Sequence, residues 1–231
     1  MKILALSLCV LGGCTDQAAD DYPVAIGDQN VPTQNGASDA TMLRGRVCMS
    51  DSMIDLGNCS DTGAGGLQVA VGGNTATTHP DGSFAIDRPT GSLLQFTVSG
   101  NGVVPTTTPF SAASTIPVIS ADVYARTLTS NGIELPDGVG LIRGSVVRDG
   151  NPLTGVTVSS APIASFDPFF DADPEGYSID GTGSRGVFFV PGVTSGSANL
   201  TLNDSVGGST LVNGISVING GVTILDSVPL P

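Results

Sequence analysis

Thr78-His79-Pro80-Asp81-Gly82-Ser83-Phe84-Ala85-Ile86 is the stretch that decides the fold class. His-Pro-Asp-Gly is a turn sequence, explained by its Pro and Gly. The run that leaves it, Ser83-Phe84-Ala85-Ile86-Asp87, alternates apolar and polar residues, the period of a half-buried strand. Upstream, Gly66-Leu67-Gln68-Val69-Ala70-Val71 and Leu43-Arg44-Gly45-Arg46-Val47-Cys48 alternate in the same way. Downstream, residues 93–98, starting at Leu93, supply a further strand.

The same order returns later in the chain. Leu141-Ile142-Arg143-Gly144-Ser145-Val146-Val147 repeats the opening strand, with Gly at the same step. Pro152-Leu153-Thr154-Gly155-Val156-Thr157-Val158 takes the second role. Ser184-Arg185-Gly186 is the turn and Val187-Phe188-Phe189-Val190 the strand behind it. Residues 197–202 and 215–218 follow, then Asn219-Gly220-Gly221, read as a tight hairpin because Gly accepts positive φ cheaply, and residues 222–225. Between the two units, residues 120–131 predict a short helix. Ser120 caps it, Val123 and Leu128 face one side, and Asn131-Gly132 stops it.

These motifs resemble the carboxypeptidase regulatory-like, or transthyretin-like, β-sandwich family. The likeness rests on the opening Gly-x-Val strand, the alternating second strand, and the Thr-x-x-x-Gly-x-Phe pattern at Thr78, Gly82 and Phe84. In the second unit it rests on Gly150-Asn151-Pro152-Leu153-Thr154-Gly155-Val156, and it departs at Arg185, where the family has Asp or Asn. The resemblance covers residues 42–119 and 140–231. It implies an all-β chain of two tandem seven-stranded Ig-like/transthyretin-like β-sandwiches joined by a short helix within a linker at 120–139. Members of this family are usually non-catalytic modules for spacing, adhesion or ligand binding.

Composition agrees with an all-β class. The 231 residues include 32 Gly and 15 Pro, which interrupt helices, and β-branched residues suit pleated surfaces. Trp is absent and aromatics make up 5%, a supply that fits two small cores better than one large one. The net charge is −13, from 21 acidic against 8 basic residues. Such a surface repels phosphate backbones and anionic headgroups, which argues against nucleic acid as a partner.

The first 13 residues, Met-Lys-Ile-Leu-Ala-Leu-Ser-Leu-Cys-Val-Leu-Gly-Gly, have the layout of a secretory signal: a charged start, a short apolar middle and a small-residue exit. Nine apolar-run residues are too few to span a bilayer, which needs about 20. Leu11-Gly12-Gly13-Cys14 resembles the lipobox of bacterial lipoproteins. That resemblance implies cleavage before Cys14, lipid on its sulfur as the membrane partner, and, with Thr15 rather than Asp behind it, the outer membrane. Residues 14–41 hold Asp16, Asp20, Asp21, Asp28 and Asp39 and no basic residue before the first unit. They read as a flexible acidic tether that buries too little apolar surface to order itself.

Cys48 and Cys59 remain as an even pair in an exported chain, which favours a disulfide; two buried thiols are the alternative. One histidine, His79, falls in a turn, so no Ser-His-Asp or Cys-His arrangement can be drawn. The most unusual stretch runs from Phe166 to Asp180 and combines acids with Phe166, Phe169, Phe170 and Tyr177. As an exposed loop it would bind a ligand or partner. The alternative is rings covering a sandwich edge or the junction while the acids face water. Asp171-x-Asp173-x-Glu175-Gly176 partly echoes a calcium loop, though it lacks the late Glu ligand and contains Pro174. The expectation is a non-enzymatic, lipid-anchored envelope protein with structural or partner-binding modules. The alternative is a glycan-binding lipoprotein with a starch-binding-like sandwich, which requires the four rings exposed together.

Overall fold

The computed structural model describes residues 42–60, 62, 64–90, 95–109, 115–173 and 176–231. The signal segment, Cys14, the tether, Leu93 and Glu175 lie outside the described residues. The first half comprises β1 (Met42–Ser50), β2 (Cys59–Ser60), β3 (Gln68–Val71), β4 (Asn74–Thr77), β5 (Ser83–Asp87), β6 (Gln95–Ser99), β7 (Thr106–Pro109) and β8 (Thr115–Ile119). The helix α1 (Ala121–Ser130) follows. The second half comprises β9 (Val139–Arg148), β10 (Asn151–Pro152), β11 (Thr157–Ala161), β12 (Phe169–Asp171), β13 (Tyr177–Ser178), β14 (Val187–Thr194), β15 (Gly196–Asn203), β16 (Ser209–Val217) and β17 (Val222–Pro229).

The halves share one plan in six strands each, β1, β3, β5, β6, β7 and β8 matching β9, β11, β14, β15, β16 and β17. In the first, β1 pairs with β5 antiparallel and with β8 parallel. In the second, β9 pairs with β14 antiparallel and with β17 parallel. Even the register is shared: Gly45 faces Phe84 and Leu43 faces Ile86, as Gly144 faces Phe188 and Ile142 faces Val190. Opposite these layers lie β3-β6-β7 in one half and β11-β15-β16 in the other. Each half is a sandwich around its own apolar core. The first core is built on Val47, Val69, Phe84, Phe96, Val98 and Val118, the second on Val146, Val156, Phe188, Leu200, Leu202 and Val217.

The halves do not stand as separate seven-stranded modules joined by a helix. Strand β17 pairs with β9 on one side and, in parallel, with β7 of the first half on the other. One ten-stranded sheet therefore runs through both halves, from β13 to β4. The seam is short, Val222 opposite Thr106 and Thr223 opposite Thr107. It is lined with buried threonines whose hydroxyls are all satisfied. Thr106 donates to Val104 O at 2.9 Å, Thr223 to Ser216 O at 2.7 Å, and Thr107 shares a 3.0 Å bond with Thr97.

A third core explains why the halves fuse. Strands β9 and β14 are buried on both faces. Ile142, Phe188 and Val190 point into the second sandwich, whereas Leu141, Val187 and Phe189 point the other way. That outer face would expose large apolar rings to water. It is covered by Met53, Val104, Ile119, Val123 and Leu128, from the first half and α1. The helix forms where the sequence places it: Ser120 Oγ accepts from Val123 N at 3.2 Å, and Gly132 follows with φ +68°. Its role differs from that of a linker, since it seals this third core.

Asn219-Gly220-Gly221 is a second departure. It carries the chain from β16 in one sheet to β17 in the other, so it makes no hairpin. The reason is close approach. A Cβ on Gly221 would lie 2.5 Å from Pro105 O, and Gly220 N donates to Val139 O at 2.8 Å.

Candidate functional site

Two equivalent turns, one in each half, are built alike, and the second lines the site through Ser184 and Arg185. In the first half Thr78 Oγ1 donates to Ala64 O at 2.6 Å and accepts from Leu67 N at 2.9 Å. In the second, Thr182 Oγ1 donates to Leu153 O at 2.6 Å and accepts from Val156 N at 3.0 Å. Four residues on, Gly82 O accepts from Val47 N and Gly186 O from Val146 N, both at 2.8 Å. A Cβ on Gly82 would reach within 2.2 Å of Val47 O, and one on Gly186 within 2.6 Å of Val146 O. The Thr-x-x-x-Gly motif is thus a device that pins a turn against the opening strand, and it occurs twice.

The turns differ in how they are closed. Asp81 closes its own turn: its Oδ1 accepts from Ser83 N at 3.0 Å and Ser83 Oγ at 2.7 Å. The Ser83 hydroxyl, then the Ser83 amide, hold its carboxyl below the usual carboxylate range. Arg185 takes the Asp81 position in the second turn and cannot do this. The carboxylate comes instead from Asp171 on β12, which is fully buried. Its Oδ1 accepts from Gly183 N at 2.9 Å and Val187 N at 2.7 Å, and its Oδ2 from Arg185 N at 2.9 Å. Asp173 adds bonds from Ser184 N, at 3.1 Å, and Ser184 Oγ. The two described aspartates of the stretch that partly echoes a calcium loop spend their oxygens on N–H and O–H donors of this turn. Glu175 lies outside the described residues, and no cluster of three or more metal-ligating side chains occurs among the described residues.

The aromatic loop is not an exposed platform. Phe169 stacks on Phe189 with centroids 4.6 Å apart, and Tyr177 meets both edge-on at 5.2 and 5.7 Å, inside the third core. Phe170 points the opposite way, into the second core. Phe166 is half-buried over the β14 bulge, where a Cβ on Gly192 would come within 2.9 Å of its ring. Alternation along β12 forces this split, since Phe169 and Phe170 are neighbours on one strand. The four rings that a saccharide face requires are not presented together. The Tyr177 hydroxyl reaches Thr127 Oγ1 of α1 at 3.3 Å. Tyr124, also on α1, has a buried hydroxyl without a hydrogen-bond partner among the described residues, and burial pushes it up to about 12.

Cys48 and Cys59 form a disulfide, with Cα atoms 5.5 Å apart. The loop it closes lies against β9. There Arg143, only 8% exposed, donates from Nε to Met53 O at 3.2 Å and from Nη2 to Ile54 O at 2.7 Å. Desolvation lowers its guanidinium to about 10, against the opposing influence of Asp171 and then Asp55, so it stays cationic at neutral pH. Beside it opens a cleft of about 610 Å³, lined by Ile54, Leu56, Pro117, Val187, Ile224 and Leu225 together with Arg143, Arg185, Asp55, Ser145, Ser184 and Ser227. Neither Arg143 nor Arg185 has a carboxylate within ion-pair distance among the described residues. His79 is exposed in its turn, remote in sequence from every residue lining this cleft. Arg143 escapes a sequence reading of sites, although a guanidinium between Ile142 and Gly144 in a strand apolar on both faces is a visible signal.

No protein-family model matches the chain, and no curated protein sequence matches it. Solved structures overlap it weakly, three of them as follows. GBS52, the minor pilin of Streptococcus agalactiae, shares 11% identity at a TM-score of 0.27, over 82% of this chain and 95% of that one. The Bacillus anthracis TIE protein shares 12% at 0.26, over 83% of this chain. The shaft pilin spaA of Lactobacillus rhamnosus GG shares 10% at 0.24, over 80% and 96%. The chain spans about a third, 34%, of the length of the TIE protein. Overlaps at this level carry no assignment of function.

Proposed function

We propose that this chain is a non-enzymatic, lipid-anchored cell-envelope protein whose fused β-sandwiches form one stiff body that holds a partner-binding surface away from the membrane. The observation that carries the stiffness is the ten-stranded sheet through both halves, backed by the third core. Modules meant to move independently share small polar interfaces; here the shared face is apolar and includes stacked rings. The anchor rests on Leu11-Gly12-Gly13-Cys14. Cleavage there leaves residues 14–41 as an acidic tether and lipid on Cys14, and Thr15 favours the outer membrane. An envelope protein is the partner class that this arrangement suits, as an adhesion-like or structural element.

The test is metabolic labelling of the full chain with an alkyne fatty acid, followed by membrane fractionation. The expected result is label on the chain and recovery with outer membranes, both lost in Cys14→Ala. Unlabelled chain, or an unchanged distribution of Cys14→Ala, rejects the anchor.

A further inference from the structure

We infer that the cleft between the disulfide loop and β9 binds a small organic carboxylate, whose charged end pairs with Arg185 and Arg143 and whose apolar stem lies along Ile54, Leu56 and Ile224. The inference goes beyond the envelope role and does not depend on the lipid anchor.

The comparison of the two halves carries it. In the first half the turn position holds Asp81, and the facing strand position holds Arg46, whose Nε donates to Asp81 O at 3.0 Å. Cation and anion are both present there. In the second half the same two positions hold Arg185 and Ser145, which both line the cleft. The cation has moved onto the turn, and its local anion is gone. Closing the turn then requires a remote carboxylate, Asp171, whose two oxygens are both taken up by backbone N–H groups. The turn is thus held by other means, and the Arg185 side chain is exposed with no hydrogen bond or ion pair among the described residues.

The second observation is independent. Arg143 is a buried cation with no carboxylate within ion-pair distance among the described residues; Asp171 and then Asp55 act on it only from farther away. A buried guanidinium without a contacting counter-charge is unfavourable unless an anion or solvent reaches it. Two of its nitrogens satisfy Met53 O and Ile54 O. Its Nη1 makes no hydrogen bond among the described residues, and it is not among their sealed, unpartnered atoms. The side chain lines the cleft, so its remaining N–H donors open there. Ser145, Ser184 and Ser227 add hydroxyls to the same wall. Guanidinium groups bind carboxylates with paired, charge-assisted hydrogen bonds. Asp55, the one carboxylate in the lining among the described residues, accepts from Gly57 N at 3.2 Å and sits on the loop side. The apolar remainder of the lining selects an organic anion over a bare one.

The test uses the full chain with ¹⁵N-labelled arginine and follows the Nε–Hε resonances during titration with sodium hexanoate, 1-hexanol and inorganic phosphate. Hexanoate is expected to give saturable shifts of the Arg143 and Arg185 resonances, and 1-hexanol none. Arg185→Gln, an exposed change that leaves the fold intact, is expected to weaken hexanoate about tenfold. Arg185→Lys recovers part of that loss, and Arg126→Gln on the outer side of α1 changes nothing. No saturable shift, or equal affinity in Arg185→Gln, overturns the site. Phosphate binding as tightly as hexanoate overturns the organic ligand, because the apolar wall would then contribute nothing.

Discussion

The turn at Thr78–Gly82 and the turn at Thr182–Gly186 are built on one plan and closed in two ways. Both are pinned by a threonine hydroxyl and a glycine carbonyl with nearly identical distances. The first satisfies itself with Asp81, exposed and local. The second borrows Asp171 from an added pair of strands, β12 and β13, and so becomes dependent on a long excursion of the chain. The difference teaches that a repeat can keep its backbone while releasing one position from structural duty. At Arg185 that release coincides with a cleft, and at β12 it coincides with the rings of the third core.

Breaking the borrowed closure has the largest expected effect. Asp171→Ala strands three backbone N–H groups, that of Val187 buried and those of Gly183 and Arg185 half-buried, and we expect a loss of about 4 kcal/mol, read as a shift of the denaturant midpoint. The corresponding change in the first half, Asp81→Ala, is expected to be far milder, because Ser83 N then faces water. Removing the shared device should affect both halves alike. Thr78→Val and Thr182→Val each leave a buried amide and the carbonyl of Ala64 or Leu153 without its partner, a loss of about 2 kcal/mol apiece. Unequal losses would show that the two threonines are not equivalent. The smallest effect is a pH dependence. The Asp81 carboxyl is held below its ordinary value in the folded chain. Its contribution is therefore present above the ordinary carboxylate range and fades as the pH falls through the lowered value. Asp81→Asn should remove that acid-side component from a stability–pH curve and leave the Asp171 turn untouched.

Much of this was legible in the sequence. The alternation of Ser83–Asp87, the Gly-x-Val openings at Gly45 and Gly144, and the helix cap at Ser120 each sit in the element they predict. Strand β7 was not legible, because Thr-Thr-Thr-Pro shows no apolar alternation; its threonines are buried with β6 on one side and β17 on the other. The fusion of the halves has a signal in the sequence. Val187-Phe188-Phe189-Val190 is continuously apolar, and continuous runs belong to strands covered on both faces. A strand in a free-standing sandwich would have alternated. The aromatic loop allows both an exposed pair and rings that cover the junction, and strand alternation decides between them: Phe169 and Phe170 are consecutive, so they serve opposite cores. Asp171 reads as a metal ligand because its partners, the amides of residues 183–187, carry no side-chain signature.

The central claim is that two sandwiches form one cooperative body, and native-state hydrogen exchange on the full chain tests it most directly. Amides of β3 and β6, in the first half, and of β15, in the second, should open with the same free energy at every denaturant concentration, and Phe189→Ala in the third core should lower all of them together. If β3 and β6 open at a lower denaturant concentration than β15, or if Phe189→Ala weakens the second half alone, the halves are independent modules and the account is wrong.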